Sequence, residues 1–483
     1  MEIKTLRKDI LKGSFWTIIG QLSSLLITLT SNIWLARILT PKEFGQFGVL
    51  MFFISISNVL TEGGLSGALI RKPNVTKDDY STIFIFNLSL SCCLFILLYL
   101  LSNSITSFYD DETLREPFIV LCSILIINAF QIVHNTRLIA EMKYKRKSLY
   151  DFFSTLISST IGIILAYRGL GLWSLIIMQL SRSVIKTLLL WMMENFNFKL
   201  RFSKSSFKEL SGFGINTTFT SIINIGFENI YQLIIGKTFS ISQVGYFYQS
   251  KKMTDVSNGV FASISQGPVF AGLAKIQESK MHFLSSYKKI ISVLVSILGL
   301  ITVILFYYSD IIVKLVLGMK WIESGIFLKY LSISSLFIIL EYFNRIIFKV
   351  YNKTSKLLQL EIVKKSIQLI TIFIGIYYKD IDLLLIGFII SNFIGYLLNL
   401  YFSEKILGSG RMEHFILIIK LLFTILLVLG FLYAFKSFLI YPSSFFSLIL
   451  IIILYTFFLQ IFKIFDFKIL KSFKYSKSKR LIK

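Results

Sequence analysis

Charge, cysteine and histidine are all scarce in this chain, and each shortage removes a class of explanation. Only 16% of the 483 residues are Asp, Glu, Lys or Arg, against about a quarter in soluble globular domains. The 55% of hydrophobic residues is more than a soluble core can absorb. Cys92, Cys93 and Cys122 fall inside apolar runs without metal-ligand spacing, so they read as buried thiols and imply no disulfide framework. His134, His282 and His414 stand apart from one another and from any acidic cluster, so neither a metal site nor a Ser-His-Asp arrangement is supported and no cofactor is expected. Acidic residues are also few, 26 against 51 basic ones, for a net charge of +25. An excess of that size can mean a nucleic-acid partner, but the basic residues sit in short segments between apolar runs and in the tail Lys463 to Lys483, which points to membrane topology instead.

What is present is a series of apolar stretches of the roughly 18 to 25 residues that a helix needs to cross a bilayer. A spanning barrel would have segments of about ten alternating residues, whereas runs such as Ser444 to Phe462 are continuous. The fold class expected is therefore an all-α membrane protein. The first apolar run, from about Gly13 to Leu39, is far longer than a signal-peptide core of roughly 7 to 15 residues and reads as the first span. About 14 transmembrane helices are expected, at 13–37, 44–69, 80–101, 116–136, 149–167, 170–193, 209–236, 243–270, 286–308, 322–347, 357–378, 381–402, 413–434 and 444–463. Alternate connections collect about 33 basic residues against about 9 in the others, which puts the first set, and both termini, in the cytoplasm. The opposite face carries the acidic loop Asp110, Asp111, Glu112 and short turns such as Arg168-Gly169-Leu170-Gly171.

The expected organisation is an N-lobe of six spans (1–193), a cytoplasmic linker (194–208), a C-lobe of six spans (209–402), two extra C-terminal spans (403–465) and a basic cytoplasmic tail (466–483). A shift of 200 residues supports the six-plus-six division: Gly45, Phe47, Ser57, Asn58 and Gly67 meet Gly245, Phe247, Ser257, Asn258 and Gly267. Thr17, Gln21, Ser24, Thr28, Ser31 and Asn32 form a polar stripe on the first span, and Thr217, Ser221, Asn224, Glu228 and Gln232 a like stripe on the seventh. Polar faces are costly against lipid, so these stripes are read as lining a cavity, with interhelical hydrogen bonding as the plainer alternative.

Ionisable residues inside spans are functional candidates by default. Arg182 and Lys186 share a face of the sixth span and repel one another unless an anion lies between them; Lys251 and Lys252 sit in the eighth span, with Asp255 a turn beyond Lys251. These four are the candidate phosphate ligands, because guanidinium and ammonium groups offer several donors to phosphate oxygens. Glu62 and Glu228, alone in sequence, and the i,i+4 pair Glu341 and Arg345 are the candidates for ion coupling. Glu361, Lys364, Lys365 and Lys420 lie near the cytoplasmic boundary and are expected to snorkel. Buried charge is thus more basic than acidic, which fits an anionic substrate better than a cationic drug.

The segments Gly13-Ser14-Phe15-Trp16, Asn32-Ile33-Trp34-Leu35-Ala36-Arg37-Ile38-Leu39-Thr40-Pro41-Lys42-Glu43-Phe44-Gly45, Glu62-Gly63-Gly64-Leu65 and Ala68-Leu69-Ile70-Arg71 resemble the polysaccharide biosynthesis and export family. These are flippases for lipid-linked O-antigen, teichuronic acid or capsule repeat units, in the superfamily of the multidrug and toxic-compound extruders and the lipid II flippases. The resemblance implies two six-helix lobes in a V that expose a central cationic cavity alternately to each side. It implies a polyprenyl-pyrophosphate-linked oligosaccharide as partner, surrounding membrane lipids, other polysaccharide-assembly proteins, and residence in the cytoplasmic membrane. In that motif Arg37 marks the outer end of the first span and is expected to be structural. The first two spans offer only Arg37 and Glu62 among ionisable side chains, fewer arginines than lipid II flippases carry, so a surface polysaccharide is favoured over a cell-wall precursor. The rivals are an ion-coupled multidrug antiporter of the same fold and, from another class, a membrane polysaccharide polymerase or glycosyltransferase. The largest outer segment, about Leu101 to Arg115, is small for the catalytic loop such an enzyme needs.

Overall fold

The computed structural model describes residues 3–62, 64–72, 75–194, 200–408, 413–438 and 444–465. The expected tail 466–483, linker residues 195–199 and the side chain of Thr217 lie outside the described residues. All regular structure among the described residues is helical.

The chain divides into two compact units, Met1–Tyr248 with Val316–Lys320, and Gln249–Leu315 with Trp321–Lys483. The first holds α1 (Ile3–Ile38), α2 (Pro41–Glu62), α3 (Leu65–Arg71), α4 (Lys77–Phe108), α5 (Arg115–Ala140), α6 (Tyr144–Tyr167), α7 (Leu172–Met193), α8 (Lys204–Thr238) and the opening of α9 (Ile241–Ile264). The second holds the rest of α9, a π-helical turn at Ser265–Val269, then α10 (Phe270–Ala274), α11 (Lys280–Tyr307), most of α12 (Ser309–Val316), α13 (Ser324–Val350), α14 (Thr354–Tyr378), α15 (Ile381–Leu407), α16 (Glu413–Phe438) and α17 (Ser444–Ile461). Ten helical stretches among the described residues are long and apolar enough to cross a membrane, and large apolar side chains such as Leu100 and Phe373 stay 68% exposed, as lipid-facing positions do. The chain is a multi-pass membrane protein. α8, α9 and α14 are absent from those ten. Each carries charge within its length: Glu228 in α8, Lys251, Lys252 and Asp255 in α9, Glu361, Lys364 and Lys365 in α14.

In the first unit α1 lies along α6 through small residues. Gly20 sits against Ser148, whose hydroxyl donates to the Trp16 carbonyl (2.9 Å), and Ser159 donates to Ser31 (3.3 Å). α4 starts at a capping box in which Thr76 and Asp79 each accept the other's backbone N–H. Lys72 then reaches Asp79 and, at 2.9 Å, Glu209 of α8. The motif from Arg37 to Gly45 is local construction. Arg37 Nε donates to the Val316 carbonyl (3.2 Å), Glu43 accepts from the Thr40 N–H (2.7 Å) and hydroxyl (2.9 Å), and α2 and α9 cross at Gly45 and Gly245. A Cβ on Gly45 would lie 1.8 Å from the Ile241 carbonyl oxygen, and one on Gly245 would lie 1.9 Å from that of Pro41. The two contacts exchange under the same shift of 200 residues.

Each unit ties its helices through asparagine side chains. In the first, Asn128 of α5 donates to Asn58 of α2 (3.0 Å) and accepts from Ser183 of α7. In the second, Asn258 of α9 accepts from Ser335 of α13, and Asn392 of α15 donates to the adjacent Ser334 (2.9 Å). The helical path is interrupted after both α2 and α9. α2 and α3 part at Gly64, which has φ of 60°, and the π-helical turn after α9 contains Pro268, whose missing N–H disrupts the helical ladder.

The second unit packs around Phe283, Tyr287, Phe343, Tyr396 and Tyr455, all 2% exposed or less. α17 is fixed to α11 by the Tyr455 hydroxyl, which passes Gly299 to donate to the Ser296 carbonyl (3.0 Å). The snorkelling expected of Lys364 is not found. It is 9% exposed, its stem lies on Gly395, and its Nζ is 2.7 Å from Glu341 Oε2. Glu361 and Lys365 also stay with the protein, the former bonded to Arg345 and the latter 3.7 Å from Glu361. A carboxylate within reach offers a buried ammonium more than a long stretch to the boundary does.

Candidate functional site

The first unit holds a half-open cavity of about 550 Å³ between α2, α3, α5 and α7. Its longest wall is α5, which presents Ile124, Asn128, Gln131, Asn135 and Ile139 at spacings of three and four, so that one helical face supplies amides along several turns. Asn58, Thr61 and Glu62 come from the last turns of α2, Ser66, Gly67 and Ile70 from α3, and Gln179, Arg182, Ser183 and Lys186 from α7. The break at Gly64 is therefore part of the wall, and it lets two short helical ends bring side chains to one space.

Hydrogen bonding orients this wall. Gln131 Nε2 donates to the Ser183 carbonyl (2.9 Å) and hydroxyl (3.0 Å) and to Asn128 Oδ1 (3.2 Å). Asn135 Oδ1 is buried without a partner among the described residues, a group that a polar guest or water would satisfy. Five carboxamides, Asn58, Asn128, Gln131, Asn135 and Gln179, line the cavity. Such groups both donate and accept, which suits hydroxyl-rich molecules.

The charges differ in how they are held. Lys186 Nζ is 2.7 Å from Asp151 Oδ1, whose other oxygen is 2.7 Å from Lys147. Arg182, one turn away on α7, has no counter-ion or hydrogen bond among the described residues, and Glu62 likewise has no counter-ion among them. Among the described residues the cavity thus offers one guanidinium without a partner, one ammonium shared with a carboxylate, and one carboxylate without a counter-ion.

Of the four candidate phosphate ligands, Arg182 and Lys186 meet in this cavity. Lys251 and Lys252 belong to the second unit, where Lys251 is 2.9 Å from Asp255. The stripe on α1 does not reach the cavity lining. Its Thr17 and Thr28 are half-buried, Gln21 is exposed, Ser24 is half-buried, and Ser31 and Asn32 are buried. On α8, Ser221 and Asn224 are half-buried, Glu228 is exposed and Gln232 is buried. Glu341 is buried in the second unit, with Arg345 Nε at 3.1 Å and Asn399 Nδ2 at 3.3 Å besides Lys364. The amides of α5 were the signal passed over in the sequence: Asn128, Gln131 and Asn135 recur at helical spacing inside a span whose other residues are largely apolar.

A family model described as "Polysaccharide biosynthesis protein" matches residues 34–325, three fifths of the chain and all of the helices that wall the cavity. The chain belongs to this family. Among curated members of similar sequence, an uncharacterised membrane protein in the cps region of Klebsiella pneumoniae is 23% identical over 66% of this chain and 66% of its own length. The lipopolysaccharide biosynthesis protein WzxC of Escherichia coli K12 is 23% identical over 66% of this chain and 65% of its length, and the teichuronic acid biosynthesis protein TuaB of Bacillus subtilis 168 is 23% identical over 68% of each. The chain thus spans just under two thirds of the first of these relatives. In fold it is similar to the lipid II flippase MurJ in an inward closed conformation, with a TM-score of 0.72 and 14% identity over 92% of this chain and 97% of that one. It is also similar to an inward-facing multidrug MATE transporter, with a TM-score of 0.62 and 15% identity over 80% and 95%. The expected all-α membrane fold is the fold of these two solved neighbours.

Proposed function

We propose that this protein is a flippase that moves a polyprenyl-pyrophosphate-linked oligosaccharide across the cytoplasmic membrane for surface-polysaccharide assembly, by alternating access. The observation that carries the reading is Arg182, a guanidinium without a counter-ion among the described residues, on the wall of an amide-lined cavity inside a membrane-spanning unit. In such a setting an unpaired cation is costly, and a pyrophosphate supplies the missing charge through paired N–H···O bonds. In this reading Arg182 and Lys186 receive the pyrophosphate and the carboxamides of α2, α5 and α7 receive the sugar. Lys251 and Lys252, with the stripes Thr17 to Asn32 and Thr217 to Gln232, serve the rest of its path. Both termini lie in the cytoplasm, on the side with the basic connections, and fourteen spans make up the whole when α8, α9, α14 and α17 are added to the ten apolar stretches.

The test is transfer of a fluorescent polyprenyl-pyrophosphate disaccharide in liposomes. Native protein is expected to move it, and Arg182→Ala to lose transfer by about 10²-fold while remaining folded, since a buried charge-assisted pair is worth about 2–3 kcal/mol or more. Unchanged transfer by Arg182→Ala would refute the assignment. A second reading, an ion-coupled antiporter, is favoured by Glu62 on the same wall. A cationic dye exchanged against protons, abolished by Glu62→Gln and indifferent to Arg182→Ala, is the result that would replace the first reading with it, with Glu228 the next carboxylate to test.

A further inference from the structure

Lys186 contributes to the cavity wall, but the carboxylate that holds it does not: Asp151 belongs to α6 and approaches the ammonium from outside the lining. Each Asp151 oxygen serves a different lysine at 2.7 Å, Oδ1 to Lys186 and Oδ2 to Lys147 one turn earlier on α6. The three side chains are 19%, 22% and 31% exposed for Lys186, Asp151 and Lys147, so all three are largely withdrawn from solvent.

From this geometry we infer that Asp151 is a releasable counter-ion: it holds Lys186 in place in the empty cavity, and yields it to the substrate's phosphate on binding. The inference rests on the flippase reading and deepens it. A largely buried ammonium with no partner is costly, a cost that an arriving phosphate relieves, and one locked in a private ion pair would be useless to a ligand. The second lysine resolves the conflict. When a phosphate oxygen takes Lys186, Asp151 keeps its bond to Lys147, so no carboxylate is stranded. Arg182, a like charge one turn from Lys186 on α7, adds to the bias, because an anion between the two removes their repulsion. When the phosphate leaves, Asp151 is still beside Lys186 to take it back, which favours release. Asp151 is thereby a positioning residue for the phosphate site, and Lys147 sets how readily it lets go.

The experiment is the same liposome assay, read as half-saturating concentration and saturated turnover of the polyprenyl-pyrophosphate disaccharide. It is repeated with polyprenyl pyrophosphate lacking the sugar. Asp151→Asn is expected to lower the half-saturating concentration about fivefold, the span of a partly exposed ion pair, and to slow turnover because release is no longer assisted. Lys147→Gln, at the most exposed member of the three, is expected to shift half-saturation the other way by a similar factor, with both probes. In a Lys186→Gln background neither change should have an effect. Shifts of the same sign for Asp151→Asn and Lys147→Gln, or no shift in either, would mean that the triad only packs α6 on α7 and would overturn the inference while leaving the flippase intact. Native protein that neither binds nor moves either lipid would overturn the flippase reading and this inference with it.

Discussion

Replacing Gly245 with alanine tests the crossing of α2 and α9 without touching a polar group. The added methyl would stand 1.9 Å from the Pro41 carbonyl oxygen and 3.1 Å from the Gly45 nitrogen, and an ordinary contact needs well over 3 Å. Side-chain rotation cannot help, because both obstacles are backbone; the two helices must separate by more than an ångström. Overpacking of flexible neighbours costs about 1–3 kcal/mol, so a clash with backbone belongs at or above the upper end, ~3 kcal/mol. Gly45→Ala meets the Ile241 carbonyl at 1.8 Å and should cost the same. Since either change forces the same separation, the double variant should cost far less than the sum of the two. Gly48→Ala is the near control: its tightest contact is the Tyr248 ring at 3.3 Å, with Val244 at an ordinary 3.5 Å, both side chains that can give, and it should cost about 1 kcal/mol or less. Gly226→Ala, with open space around it on α8, should stabilise by about 0.5–1 kcal/mol through helix propensity. Thermal unfolding of purified protein in detergent ranks the five variants. Equal midpoints for Gly245→Ala and native protein, or additive effects of the pair, would refute the argument.

Three other outcomes follow from the description above. Lys364→Met removes one partner of the buried Glu341 but leaves Arg345 and Asn399, so a loss of about 3 kcal/mol is expected, the low end for a broken buried pair, measured by denaturant titration in micelles. Asp111 is nearly buried; burial alone would push its carboxyl up, but the hydrogen bonds from Thr113 and Gln46 and the charge of Lys42 outweigh this and hold it below its usual 3.8. Its contribution to stability is therefore full above about pH 4 and lost as pH falls through the lowered value. Asp111→Asn should be less stable than native protein at neutral pH, with the difference closing in acid. For topology, a single cysteine replacing Asp110, whose side chain is 83% exposed, should react with an impermeant thiol reagent outside intact cells while one replacing the exposed Lys204 should not; the reverse pattern would invert the protein.

How far the sequence could be read depended on whether a feature is local or pairwise. Helix identity was legible, because apolar runs of spanning length and turns such as Arg168 to Gly171 are continuous in sequence; Gly169 and Gly171 both take positive φ there. The crossing at Gly45 and Gly245 is marked in the sequence because contact between two backbones leaves no side chain but glycine. Arg182 and Lys186 could be singled out by their spacing on one helix. That Lys186 is held by Asp151 could not, since the partner is 35 residues away on another helix. Lys364 was misjudged for the same cause: distance from the boundary was read along the chain, while Glu341 lies across a helix interface. The α5 amides are visible in the sequence at helical spacing, but the space that α2, α3 and α7 leave in front of them is a property of the packing.

The buried ion cluster of α13 and α14 bears on how the chain is made. A helix carrying Glu361, Lys364 and Lys365 is a poor candidate to leave the translocon for lipid unaided, since each charge near a helix centre costs about 2.5–3.5 kcal/mol on insertion scales. Its neutralising partners, Glu341 and Arg345, lie on the helix synthesised just before it, across the short turn between Val350 and Thr354. Insertion of α13 and α14 as a prepaired hairpin would spare the membrane from meeting these charges singly, and would make biogenesis sequential at this point, with α13 held at the translocon until α14 has emerged from the ribosome.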